Sequence, residues 1–91
     1  PQQGLREGLI HGVYPPERLA DEALYLAQRI TSYAPIALKF AKETINKGMD
    51  MTLDQGLRLE QDLTVILQST HDRAEGIESF LKKRMAKFKG A

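Results

Sequence analysis

Pro16 and Pro35 divide this chain into stretches that each repeat apolar residues at helical spacing, and no stretch alternates apolar with polar residues for more than a few positions. A proline is favourable at the first position of a helix, where its missing N–H has no intrahelical acceptor, and it blocks continuation of whatever precedes it. Downstream of Pro16, Leu19, Ala23, Leu26, Ala27 and Ile30 form one stripe, with Glu17, Asp21 and Glu22 near the positive end of the helix dipole. This predicts a helix over residues 17–31. Downstream of Pro35, Ala37, Phe40, Ala41, Thr44 and Ile45 form a second stripe, Glu43 precedes Lys47 by one turn, and Gly48 is the expected stop.

Thr52 and Gln55 have the spacing of a capping box, so a third helix is expected to start near Leu53 and to carry Leu57, Leu63, Val65, Ile66 and Leu67 as a wide apolar band. Asp72 and Glu75 repeat that spacing and predict a fourth helix, with Ile77, Phe80 and Leu81 facing inward and Glu78 paired with Lys82. Ahead of Pro16, a helical turn should end at about Glu7, because Gly8 suits a helix C-terminus, and an extended stretch should come after it. Valine occurs only at Val13 and Val65, which leaves little material for a sheet. The fold class expected is mainly α.

At 91 residues the chain makes one small domain or a piece of a larger one. A chain this short buries only about 60 to 70% of its unfolded surface. The wide third-helix band and the apolar residues of the first fourteen positions are therefore expected to leave apolar surface needing a partner. No apolar run is long enough to span a bilayer and no secretory leader is apparent, so a soluble, intracellular location is expected.

Chemistry is constrained mostly by exclusion. With no cysteine there is no thiol nucleophile, disulfide or cysteine-ligated metal, and His11 and His71 stand in no metal-binding pattern, so no metal site is expected. Nucleophile-elbow, phosphate-loop and dinucleotide fingerprints are absent. Glu60 and Asp62 are two residues apart and cannot share a helix face, while Asp72 and Glu75 are accounted for by capping. The charge distribution is lopsided: all twelve carboxylates precede residue 79, whereas Lys82, Lys83, Arg84, Lys87 and Lys89 come after it. Such a tail attracts polyanions, and Phe80 and Phe88 set aromatic rings near its cations.

The order of these segments resembles the C-terminal part of the enoyl-CoA hydratase/isomerase (crotonase) family from end to end. Gly8–Ile10 with Tyr14–Leu19, then Glu22, Ala23 and Leu26–Ile30, are similar to the family's passage into its first C-terminal helix. Ala34, Pro35, Ala37 and Leu38 with the AKETIN stretch at 41–46, Gly56, Leu57 and Glu60, and the ending from Thr70, Asp72, Arg73, Glu75, Gly76 and Phe80 through LKKR and KFKG continue the match.

The resemblance implies that residues 1–91 are the four-helix C-terminal region of a crotonase-fold enzyme, without the N-terminal spiral β/α core that carries the oxyanion hole and catalytic glutamates. No catalytic residue is expected in this segment, and the segment alone should be inactive. Phe80 and Lys83 match the aromatic and lysine of the family's ending, which implies contact with the adenine and ribose-phosphate part of CoA. CoA is then part of the substrate and no cofactor is expected. The implied partners are an acyl-CoA and further copies of the chain, as a trimer or dimer of trimers, with no membrane. The implied compartment is the bacterial cytoplasm, with the mitochondrial matrix as the alternative. Two other readings are a purely structural oligomerisation module and RNA binding through the basic tail, since one branch of the family binds RNA.

Overall fold

The computed structural model describes residues 1–91 as five helices with no strand: α1 (Gln2–Arg6), α2 (Pro16–Thr31), α3 (Pro35–Gly48), α4 (Leu53–Leu67) and α5 (His71–Leu81). The chain divides into two compact units, residues 1–30 and 31–91.

In the first unit α1 closes at Glu7, and Gly8 takes the left-handed conformation (φ 72°) that a side chain disfavours. The Leu9 N–H then reaches the Gly4 carbonyl at 2.8 Å and the Gly8 N–H reaches Leu5 at 3.2 Å, the paired bonds of a Schellman end. Residues 12–15 are free of regular structure, as the double proline requires, and α2 begins at Pro16. Leu19, Leu24, Tyr25 and Ile30 of α2 are exposed, while Leu26 is half-buried.

In the second unit α3 and α4 pack against each other. Pro35 occupies the first turn of α3, and Thr52 completes the capping box on α4: its hydroxyl accepts from the Gln55 N–H at 3.3 Å, and the Gln55 side chain accepts from the Thr52 N–H at 3.2 Å. Helix α3 runs through Gly48 and ends in a turn over Met49–Met51, so Gly48 does not act as a left-handed stop. A methyl group added at Gly48 would meet nothing within 4 Å, and one on Gly56 of α4 would lie at an ordinary van der Waals distance, 3.7 Å, from the Gly48 backbone. Phe40, Leu63 and Leu67 are half-buried where the helices meet. The pairs Glu43–Lys47 (2.6 Å) and Glu78–Lys82 (2.5 Å) form as the spacing predicts.

Helix α5 departs from expectation in two ways. Its N-cap is Thr70, whose hydroxyl accepts from the Arg73 N–H at 3.3 Å, so Asp72 and Glu75 are not a capping box. Because the helix starts two residues earlier than that reading required, both carboxylates fall on a helix face one turn apart and turn to the chain's end. Asp72, only 2% exposed, accepts from the Lys89 and Gly90 N–H groups, each at 2.7 Å, while its own N–H donates to the Ala91 carbonyl at 2.8 Å. The other departure concerns the stripe expected to face inward: Ile77 is 47%, Phe80 83% and Leu81 73% exposed. The covered face of α5 is instead the small and polar one, Asp72, Gly76 and Ser79, against which the tail and Phe88 lie.

Hydrogen bonds to a charged acceptor contribute about 1.5 to 3 kcal/mol each. Replacing Asp72 by alanine should therefore release the tail, and amide exchange at Lys89 and Gly90 should accelerate about a hundredfold. Unchanged protection at both amides would mean the tail is held by other contacts.

Candidate functional site

The basic residues that stand out in the sequence begin where α5 ends. Lys83 comes after the helix in the left-handed region (φ 50°), the conformation usually left to glycine. Its N–H donates to the Phe80 carbonyl at 3.2 Å, and the next N–H, of Arg84, donates to Ser79 at 3.0 Å. These are again the two bonds of a Schellman end, here with a lysine at the strained position. The turn brings Phe80 and Lys83 together at one tip, with the Phe80 ring exposed and no carboxylate paired with the Lys83 ammonium.

Its neighbours are paired. Arg84 forms a fork on Glu75, Nη1 to Oε1 at 2.6 Å and Nη2 to Oε2 at 2.9 Å, and stands 3.8 Å from Glu78, which also holds Lys82. Two of the five tail cations are thus matched by α5 carboxylates, and the charge open to a ligand is that of Lys83, Lys87 and Lys89. Glu75 Oε1 also accepts from the Lys87 N–H at 2.7 Å. The Arg84 guanidinium, and after it the Lys87 N–H, draw the Glu75 carboxyl from 4.5 down to about 2. The same contact raises Arg84, and Lys82 lowers Glu78.

No sequence motif marks the grip on the tail. Glu75 and Arg84 are nine residues apart and Asp72 and Gly90 eighteen, beyond any single-helix register, so only the fold connects them. Phe88, grouped in sequence with the cations, lies half-buried beside Gly76 and lines an apolar cavity of about 250 Å³ with Ile36, Ala37 and Leu67. A second cavity of about 350 Å³ lies between α3 and α4, lined by Phe40, Thr44, Glu60 and Leu63 among others. Phe80 and Lys83 line neither. No group of three or more histidine or carboxylate side chains converges, and no helix is long and apolar enough to cross a membrane.

Residues 1–91 match the enoyl-CoA hydratase/isomerase family along their whole length. The chain belongs to that family. Among curated relatives, a probable enoyl-CoA hydratase of Rhizobium meliloti (strain 1021) is 43% identical over 84 residues, covering 92% of this chain and 33% of its own. A mitochondrial enoyl-CoA hydratase of Pongo abelii is 39% identical over 88 residues, covering 97% and 30% respectively. The crystal structure of an enoyl-CoA hydratase from Bacillus anthracis superposes with a TM-score of 0.95 at 36% identity, covering 99% of this chain and 35% of that one. The chain thus spans about a third of the length of the relatives it matches, and corresponds to the C-terminal helical part of the crotonase fold.

The depressed Glu75 carboxyl fixes the sign of an acid response. A group whose folded pKa lies below its unfolded one stabilises the fold fully above the unfolded value, and that contribution is lost as pH falls through the folded value. The Glu75 grip should be intact above about pH 4.5 and fail toward pH 2. In an NMR titration the Lys87 amide, which reports this carboxylate directly, should shift with a midpoint near 2. A midpoint at the ordinary glutamate value would show that the fork does not form.

Proposed function

We propose that these residues are the C-terminal helical region of an enzyme acting on acyl-CoA thioesters, with hydration of a 2-enoyl-CoA as its reaction. In this reading the region supplies contacts between subunits of a trimeric enzyme and part of the CoA site. The observation that carries the reading is the family match over all 91 residues. The uncovered apolar stripes on α2, α4 and α5 support a role in assembly, because a helix gains most of its stability in proteins by burying such a stripe.

CoA carries an adenine ring beside several phosphate groups. The exposed Phe80 ring offers an apolar plane to the first, and the unpaired Lys83 ammonium offers a cation to the second. Water addition needs an acid, a base and donors aimed at the thioester oxygen, and those belong to the parent enzyme outside these residues. This region binds and orients. With relatives that include a bacterial and a mitochondrial enzyme, we assign the parent to the bacterial cytoplasm or the mitochondrial matrix. The reading as a nucleic-acid-binding tail is weakened, because Glu75 and Glu78 neutralise two of the five cations. A module that only assembles subunits would leave coenzyme affinity indifferent to Lys83.

An exposed lysine–phosphate contact contributes about 1 to 3 kcal/mol at most. In the full-length enzyme Lys83→Ala should accordingly raise KM for an enoyl-CoA severalfold with little change in kcat, since the contact is made equally in ground and transition states. A large fall in kcat at unchanged KM would refute the assignment. The 91-residue segment alone should turn over no enoyl thioester above a buffer blank.

A further inference from the structure

Lys83 occupies a left-handed backbone conformation that is strained for any residue with a side chain. Such a residue persists only where its surroundings over-determine it. The next residues of the chain are clamped: Glu75 takes the Arg84 side chain through both carboxylate oxygens at 2.6 and 2.9 Å and the Lys87 N–H at 2.7 Å, so residues 84–87 are fastened to α5 at two points. On the helix side, the Lys83 and Arg84 N–H groups are fastened to Phe80 and Ser79. The strained lysine therefore lies between two anchored segments, and Arg84 belongs to both. Without the fork, the helix bonds alone would have to hold the left-handed turn. The Glu75 side chain is only 12% exposed, whereas that of Arg84 is 37% exposed.

We propose that Glu75 is a positioning residue for coenzyme binding: by holding Arg84 and the Lys87 amide it fixes the left-handed turn that presents Lys83 beside Phe80. The inference rests on the assignment of Lys83 to the CoA phosphates. Glu75 touches no substrate; it acts through the geometry of the residue that does. Its contribution is to pre-organise the tip, so that binding does not have to order a turn that lysine disfavours.

The test is a double-mutant cycle in the full-length hydratase, with Glu75→Gln, Lys83→Ala and the pair, read as KM and kcat for an enoyl-CoA. Glu75→Gln should raise KM about threefold to fivefold at unchanged kcat, and should add nothing further once Lys83 is alanine. Arg84→Gln, which breaks the same fork from the tail side, is run in the same cycle and should behave alike if Glu75→Gln fails to fold. If Lys83→Ala raises KM while Glu75→Gln and Arg84→Gln do not, or if their effects multiply with it, Glu75 does not act through Lys83 and the inference falls while the Lys83 assignment stands. If Lys83→Ala leaves KM unchanged, the assignment falls and the inference with it.

Discussion

The apolar stripes of these helices are wider than the contacts that the described residues make with them. No apolar side chain anywhere in the chain is fully buried, and the most exposed large ones include Leu9, Met49, Leu53, Phe80 and Met85. Helices of five to sixteen residues are marginal by themselves in water, and tertiary burial of an amphipathic face is what normally holds them. Here α3 and α4 cover part of each other, while Val65 and Ile66 on α4 and Ile77 and Leu81 on α5 remain open. Such a distribution fits a segment whose faces meet the rest of a larger assembly, in keeping with a match to about a third of each relative.

In contrast, the most deeply buried residues of the second unit are polar. Asp72 and Ser79 are the only buried residues, and Asp72 and Glu75 together order the last eight residues through backbone N–H groups and one guanidinium. Carboxylates that accept backbone N–H groups do locally what apolar burial does elsewhere: they select one arrangement of an otherwise irregular segment. The consequence reaches the tip, where the same grip borders the strained lysine. The polar face of α5 thus holds the tail, while its apolar face stays exposed.

Much of the secondary structure is legible in the sequence because its signals are local. Pro16, Pro35, the Thr52–Gln55 box and Gly8 act within a turn or two of themselves, and each marks an element boundary in the structure. Local signals mislead where they have a distant competitor. Asp72 and Glu75 have the spacing of a cap, yet Thr70 caps α5, which leaves the carboxylates to bonds with residues 84–90 that no periodicity reveals. Likewise Ile77, Phe80 and Leu81 do form a stripe, but periodicity says only that residues share a face and not whether anything within the chain covers it. Phe80 and Lys83 stand out through the family resemblance; the structure adds their common tip and the pairing of the cations around them.

The central claim is that these helices depend on contacts beyond their own 91 residues. Analytical ultracentrifugation of the isolated chain at low micromolar concentration, combined with a thermal melt monitored by circular dichroism, tests it most directly. The account predicts self-association, or a monomer whose helicity is lost gradually without a cooperative transition. A stable monomer that melts in one sharp, reversible step would contradict it.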